Sequence, residues 1–327
     1  MKKIKLYSII SVLIAIMFFG TAALCNQCGI IPSAITTAST ATESDTSETA
    51  DETTKEAATE AATEETAQET ISEGNGNIEL VDRSQMMDVF AIANESGDQL
   101  ITFYSDEEIT EFEEFNGAIG EDGQFYNIEY VEKQDSNDQD SGRVVSDNFD
   151  NMEGYIYNVL EENLIASNTY YICNSEVINE ENLLTTVSTG TAAIDEDTKT
   201  QIEDIKGRSI QEGWIIDEYS DGTQILIVVF EPNGNNLLMS IALKTADGIK
   251  LMDYPVVSDG QSAWRVDDGG KIDPKLFSIL FTTPTNEGLL IAVCWAGAEG
   301  ENVFFLLEET DALSQLPSEI YRYWSAG

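Results

Sequence analysis

Most of the chain after residue 78 consists of short apolar runs separated by turn-forming residues, and this pattern predicts β-strands. The clearest runs are residues 214–219, 224–230, 237–243 and 249–254. Turn-forming residues separate them, and the first turn, Ser220-Asp221-Gly222-Thr223, has the Asp-Gly pair that is typical of a hairpin. Because the connections are short and sequential, the pattern predicts an antiparallel meander and disfavours a parallel doubly wound sheet.

Further strand-like runs lie on both sides of this region. They are residues 100–104, 125–131, 155–160, 169–173, 263–266, 289–295 and 302–307. Residues 133–152 lie between two of these runs and are acidic, polar and rich in Ser, Asn and Gly, as is typical of a long surface loop.

Helical periodicity is limited to a few short segments. Ser105 and Glu108 form a capping-box pattern before three apolar residues on one face, Ile109, Phe112 and Phe115. Residues 195–206 begin with acidic residues and end at Lys206 before Gly207, which predicts a second helix. Residues 83–94 are predicted as a third helix, and residues 275–281 as either a helix or a strand. The predicted fold class is therefore α+β, mainly antiparallel sheet with a few short amphipathic helices.

The N-terminal part of the chain differs from the rest. Lys2, Lys3 and Lys5 precede an apolar run at residues 6–24, which is typical of an export signal or membrane anchor within residues 1–25. Residues 26–77 are rich in Thr, Glu and Ala and contain few large apolar side chains, so we expect a disordered acidic tether. Residues 78–327 then form the globular part, with a composition change at residues 188–198 as a candidate subdomain boundary.

Residues Ala22-Ala23-Leu24-Cys25 follow the apolar run. This segment resembles the lipobox of bacterial lipoproteins, and the resemblance implies that Cys25 is lipidated and becomes the mature N-terminus. The protein would then be anchored to the outer face of the cell membrane. Release after signal cleavage and an uncleaved membrane helix are the alternatives, and all three outcomes place the rest of the chain outside the cytoplasm.

The chain is strongly acidic, with a formal net charge of −44 at pH 7. Residues 78–327 contain 49 acidic and 12 basic residues, which gives this part a net charge of −37. Such a surface repels nucleic acid and favours cationic ligands and basic partners. The same charge also keeps an exported protein soluble.

The chain has no histidine. This excludes Ser-His-Asp and Cys-His catalysis and metal sites ligated by histidine. Phosphate-binding glycine motifs and the serine nucleophile motifs Ser-x-x-Lys and Gly-x-Ser-x-Gly are also missing. Hydrolysis by a pair of carboxylates and oxygen-ligated calcium or magnesium remain compatible with the composition.

Asp135, Asp138 and Asp140 lie in the acidic loop and are the candidate calcium ligands. The loop lacks the glycine and the glutamate that an EF-hand requires, so a solvated acidic loop is the alternative. No other metal or cofactor is predicted.

Two segments place a tryptophan beside an acidic, glycine-containing turn, and these are the candidate ligand-binding residues: Trp264, Arg265, Asp267 and Asp268 in one, and Trp295 and Glu299 in the other. An aromatic ring beside carboxylates can stack on a sugar or bind a cation. The alternative is that the tryptophans belong to the hydrophobic core.

Cys173 and Cys294 both lie in apolar runs. Export permits a disulfide between them, whereas buried cysteines also serve as small apolar side chains.

Together these patterns predict a surface-tethered extracytoplasmic binding or interaction module without a catalytic motif. Its partners would be the membrane, through the N-terminus, and an envelope protein, a glycan or a cationic ligand. A carboxylate-dependent hydrolase acting on glycans and a structural component of an envelope complex are the alternatives.

Overall fold

The computed structural model describes residues 78–105, 110–161, 163–258 and 260–324. The predicted signal, Cys25 and the tether lie outside the described residues. Within these residues there are fifteen strands, one α-helix and six short 3-10 helices. The predominance of antiparallel sheet is confirmed, but the predicted α+β class overstates the helical part, since only one α-helix is present in the described ranges.

The strands are β1 (Val89–Ala93), β2 (Gln99–Ser105), β3 (Gly117–Ile119), β4 (Phe125–Gln134), β5 (Gly154–Val159), β6 (Thr169–Cys173), β7 (Thr186–Ala193), β8 (Ile210–Tyr219), β9 (Gln224–Phe230), β10 (Asn236–Thr245), β11 (Gly248–Val257), β12 (Phe277–Thr285), β13 (Gly288–Ala296), β14 (Gly300–Glu308) and β15 (Leu313–Tyr323). The α-helix is α1 (Glu196–Lys206). The 3-10 helices are Arg83–Gln85, Phe112–Glu114, Glu121–Gly123, Ser146–Asn151, Glu180–Asn182 and Pro274–Leu276.

The strands form three sheets. The first is a closed barrel in the order β1-β2-β5-β4-β3-β6. The second has five strands in the order β11-β10-β9-β8-β7, and the third has four in the order β12-β13-β14-β15. Neighbouring strands pair antiparallel throughout. The two open sheets are meanders, as the short connections predicted, whereas the barrel is not.

The four-stranded sheet lies between the barrel and the five-stranded sheet and is buried on both faces. Successive side chains of β13 alternate between the two sides. Leu290, Ala292 and Cys294 pack with barrel residues such as Phe90 and Tyr171. The alternate side chains, Ile291, Val293 and Trp295, pack with side chains of the five-stranded sheet. Burial on both faces explains why β13 reads as a continuous apolar run.

The barrel strands β1 and β6 are also buried on both faces. Val89, Ala91 and Ala93 pack inside the barrel with Tyr170 and Ile172. On the outer face, Phe90 and Tyr171 contact Phe305 of the four-stranded sheet, with ring centroids 5.8 and 5.9 Å away respectively. The barrel and the four-stranded sheet therefore share one aromatic core.

Helix α1 covers the outer face of the five-stranded sheet. Ile202 of α1 is fully buried against Leu226, Val228 and Phe230. The predicted start and end of this helix are confirmed. The Asp195 carboxylate accepts a hydrogen bond of 2.7 Å from the backbone N–H of Thr198, and Gly207 ends the helix with a φ of 61°.

Two predicted elements are wrong, and a third is only partly present. Residues 83–94 form a 3-10 helix followed by β1, because all five residues of β1 are apolar and both faces of the strand are buried. Residues 263–266 form a bent loop around the Asp268 carboxylate. The helix predicted after Ser105 is described only as the 3-10 helix Phe112–Glu114, since residues 106–109 lie outside the described ranges. The candidate boundary at residues 188–198 falls in β7 and the start of α1.

Candidate functional site

The two predicted tryptophans lie in the core between the five-stranded and the four-stranded sheets. Trp295 is 7% exposed and stacks on Phe277, with ring centroids 4.7 Å apart. Trp264 is half-buried against the same core, and its Nε1 donates a hydrogen bond of 2.8 Å to the backbone carbonyl of Tyr254. Both rings are used in packing, which agrees with the core alternative.

Arg265 contacts two residues of the four-stranded sheet, Trp295 of β13 and Asn302 of β14. Its guanidinium is 4.7 Å from the centroid of the Trp295 ring and donates to the Asn302 side chain and to the Trp295 carbonyl. Burial lowers the pKa of Arg265, while the charges of Tyr321, Glu319 and Glu301 act in the opposite direction. The geometry indicates that Arg265 attaches its loop to the sheet.

The acidic residues beside the tryptophans do not converge on one point. The Asp268 carboxylate accepts four backbone hydrogen bonds of 2.8 Å, from Ala263, Trp264, Arg265 and Gly270. Asp267 is exposed and accepts from the Gln261 side chain at 3.1 Å. Glu299 lies in the connection between β13 and β14, where its carbonyl accepts from the backbone N–H of Trp324 at 3.0 Å. The four backbone bonds to Asp268 use the hydrogen-bond acceptor sites of its carboxylate to hold its own loop, so the carboxylate is not available to a ligand.

The candidate calcium ligands are exposed. Asp140 accepts hydrogen bonds from the Asn148 side chain and the Gly142 backbone, both at 2.8 Å, and these bonds lower its pKa. Asp135 and Asp138 are solvent-exposed on the same loop. Among the described residues, no group of three or more Cys, Asp or Glu side chains is arranged to hold a metal ion.

Cys173 and Cys294 are free thiols in the aromatic core and are 3% and 2% exposed. No bridge joins them. Burial raises the pKa of both thiols, and they act as small apolar side chains.

A cleft with a mainly apolar lining lies at one end of the barrel. We call it the apolar cleft, and its volume is about 360 Å³. Its lining residues are Gln85, Met86, Met87, Thr110, Glu111, Glu114, Phe115, Tyr171, Ile172, Cys173, Asn174, Val177 and Ile178. Cavities of this size and polarity are typical of small-molecule sites.

An ion pair holds one wall of the apolar cleft. Arg83 is 3.2 Å from the Asp88 carboxylate and donates to the carbonyl of Met86 at 3.3 Å. The guanidinium also lies over the Phe305 ring, 5.4 Å from its centroid. Because Arg83 and Asp88 are only 16% and 13% exposed, this arrangement fixes the backbone that presents Met86 and Met87 to the cleft.

The rim of the apolar cleft carries negative charge. Glu111 and Glu114 are exposed and flank the buried ring of Phe115. The barrel section, residues 89–173, contains twenty acidic residues and only two basic ones, Lys133 and Arg143. The negative field around the apolar cleft favours a ligand that carries a positive charge beside its apolar part over a ligand that carries a negative charge there.

A second, polar groove lies on the other side of the turn at residues 174–179. We call it the polar groove, and its volume is about 720 Å³. Its lining residues are Gln124, Phe125, Tyr126, Asn127, Glu161, Ser175, Asn179, Glu180 and Glu181. The Glu161 carboxylate is held by the backbone N–H of Asn127 at 2.9 Å and by its side-chain amide at 2.5 Å.

The sequence analysis did not identify either cavity. The apolar cleft combines residues that follow the first 3-10 helix, the end of β6 and two loops, and no local motif marks them. The adjacent methionines Met86 and Met87 were the signal that the sequence offered, because methionine is common at adaptable binding surfaces. In the structure Met86 is buried and Met87 is 39% exposed.

No protein-family model, curated protein or solved structure matches this chain.

None of the helices in the described ranges combines the length and the apolar character needed to span a bilayer.

Proposed function

We propose that this protein is a noncatalytic binding module that holds the apolar part of a cationic ligand in the apolar cleft. The observation that carries the proposal is the combination of a buried apolar lining, with Phe115, Tyr171 and Ile178, and an exposed carboxylate rim, with Glu111 and Glu114.

The two parts of the cleft make different contributions to binding. Removing ~100 Å² of apolar surface from water stabilises a complex by roughly 2.5 kcal/mol. An exposed ion pair to Glu111 or Glu114 adds only about 0–1 kcal/mol. The lining therefore supplies most of the affinity, and the rim supplies the preference for a positive charge.

We also propose that the N-terminus attaches this module to the outer face of the cell membrane. The charged start of the chain, its apolar run and Cys25 support anchoring by a lipid or by an uncleaved helix, with secretion as the alternative. Mass spectrometry of the mature N-terminus separates these outcomes. Diacylglycerol on Cys25 supports the lipid anchor, and an intact Met1 in the membrane fraction contradicts it.

The second candidate function is a carboxylate-dependent hydrolase acting on glycans, and the polar groove favours it. Glu161, Glu180 and Glu181 all line this groove, together with the aromatic residues Phe125 and Tyr126. Paired carboxylates are the groups that glycoside hydrolysis requires. Release of reducing sugar from a glycan, lost in Glu161→Gln, would support this function.

The binding proposal is tested with three probes that share one ring and differ in charge: phenethylamine, 2-phenylethanol and phenylacetate. Amide NMR spectra of the protein at low salt should change around Met87, Phe115 and Val177. We expect the amine to bind most tightly and the carboxylate most weakly, with millimolar dissociation constants.

The controls separate the rim from the lining. Glu111→Gln with Glu114→Gln should remove the preference for the amine and leave the binding of 2-phenylethanol unchanged. Glu113→Gln is the matched control, because Glu113 is exposed on the same 3-10 helix and does not line the cleft. Equal binding of the amine and the alcohol would reject the role of charge, and spectra without changes at the lining would reject the site.

A further inference from the structure

Asp217 of β8 is a buried carboxyl at the place where the three sheets meet. Its side chain is 2% exposed. The Tyr219 hydroxyl donates to Asp217 Oδ2 at 3.1 Å and is 2.8 Å from Thr282 Oγ1 of β12. The 3-10 helix Glu121–Gly123 of the barrel packs on β12 and β7 beside these groups. We call this contact between Glu121–Gly123, β8 and β12 the joint.

A β-bulge turns Asp217 into the joint. Trp214 and Ile216 pack toward the four-stranded sheet, and Ile215 packs on the opposite side, toward α1. Continued alternation would place residue 217 on the α1 side, yet the β8–β9 pairing shifts register between Ile215 and Asp217. Tyr219 consequently packs on the same side as Ile216. Bulges often redirect a side chain that has a specific role.

The groups that face Asp217 from the barrel are acidic. Glu121 is exposed, and Asp122 is half-buried in a left-handed backbone conformation with a φ of 62°. The groups that β7 and β12 place at the joint are uncharged hydroxyls. Thr186 of β7 donates to the carbonyl of Asp122 at 3.4 Å, and Thr282 of β12 contacts the Tyr219 hydroxyl. Glu218, the next residue of β8, is hydrogen-bonded to Gln224 at 3.2 Å.

No positive charge balances this carboxyl. None of the ion pairs among the described residues involves Asp217, Asp122 or Glu121. An ionised Asp217 would therefore be a buried charge without a cationic partner, beside two further carboxylates.

We propose that Asp217 is a proton-controlled latch, which keeps the joint closed while its carboxyl is neutral and opens it on ionisation. The Glu121–Gly123 turn leads directly into Gln124–Asn127, a wall of the polar groove, so opening the joint displaces that wall.

Burial, followed by the charge of Asp122, raises the pKa of Asp217 to about 7, while the hydrogen bond from Tyr219 acts in the opposite direction. Burial and Glu121 also raise the pKa of Asp122. Because the closed state has the higher pKa, it binds the proton more tightly than an open state with a hydrated carboxyl. The closed state is therefore favoured at acidic pH and loses that advantage as the pH rises toward about 7, by up to about tenfold per pH unit.

Hydrogen exchange of the full-length protein, corrected for intrinsic rates, tests this latch between about pH 5 and about pH 9. Protection of the amides at residues 117–127 should fall as the pH rises and should level off once the pH passes that pKa. In Asp217→Asn the protection should stay high at every pH. Glu212→Gln is the matched control, because Glu212 is exposed on the same strand, and it should behave as the natural protein.

Tyr219→Phe gives a readout that a purely structural role would not change. It removes the donor that stabilises the ionised carboxylate, so the pH at which protection levels off should move higher. Protection that does not vary with pH in the natural protein, an unchanged pH profile in Asp217→Asn, or an unmoved levelling-off pH in Tyr219→Phe would each overturn the proposal.

Discussion

The guanidinium carbon of Arg265 lies over the Trp295 ring, 4.7 Å from its centroid, and the same guanidinium donates a hydrogen bond to the Trp295 carbonyl. One side chain therefore contacts both the ring and the backbone of its partner. This pair connects the loop before β12 to β13.

Arg265→Lys should destabilise the protein by about 1–3 kcal/mol, although the charge is kept. A lysine lacks the planar fork whose two nitrogens donate separately to Asn302 and Trp295, and its ammonium forms a weaker contact with the ring. Urea unfolding followed by tryptophan fluorescence measures the change. Arg143→Lys is the control, since Arg143 is exposed and its variant should remain within about 0.5 kcal/mol. Equal stability of the two variants would contradict the role of Arg265.

Asp268→Asn should cost about 2 kcal/mol, even though the two side chains have nearly the same shape. The carboxylate accepts four backbone hydrogen bonds, and an amide replaces one of its two acceptor oxygens with a donor. Thermal unfolding measures this loss. Asp267→Asn should be neutral or slightly stabilising, because residue 267 is exposed and has a φ of 58°, which asparagine tolerates well. A loss confined to Asp267→Asn would contradict this account.

Ile202→Ala in α1 should destabilise the protein by about 2–4 kcal/mol, because it leaves a cavity against the five-stranded sheet. Ile205→Ala is the matched control on the same helix, since Ile205 is 54% exposed. Its effect should be within about 0.5 kcal/mol. Similar values for the two variants, measured by urea unfolding, would show that α1 does not cover this sheet.

Cys173 and Cys294 should resist thiol reagents in the native protein. Both are buried, and burial raises the pKa of both, so the reactive thiolate is scarce. Replacing Cys25 and Cys28 with serine leaves Cys173 and Cys294 as the only thiols that can react. Their modification should then proceed at the rate of unfolding. Rapid reaction of either thiol under native conditions would contradict the burial, and a failure to react after unfolding would indicate a bridge.

The meander of β8 to β11 was predictable because each of its strands pairs with the next one along the chain. The Asp-Gly turn and the short apolar runs on either side of it are local signals, and local contacts determine this sheet. The start of α1 at Asp195 was predictable for the same reason.

The barrel was not predictable, because its closure depends on pairs that are distant in sequence. Phe90 pairs with Tyr171, and Gln99 with Asn158. The helix prediction for residues 83–94 was wrong because β1 is buried on both faces. Such a strand lacks the alternation of apolar and polar residues that identifies a strand in a sequence. β7 consists mainly of Thr, Ser, Ala and Gly, and β15 contains Pro317, so neither has the usual apolar signature.

The candidate site shows the same limit. The sequence named Trp264, Arg265 and Trp295 as candidates in two separate segments, and it left open whether the rings bind a ligand or belong to the core. The two cavities depend on loops from separate parts of the chain, and their assembly is a tertiary event.

The sheet that lies between the other two is synthesised after both of them, since β12 to β15 span residues 277–323. While the nascent chain is shorter than this, the outer face of the barrel and the inner face of the five-stranded sheet have no partner. Their apolar side chains remain in water until the C-terminal strands arrive between them. Truncated chains that stop before residue 277 should therefore aggregate, and completion of the native core should wait for the synthesis of residues 277–323.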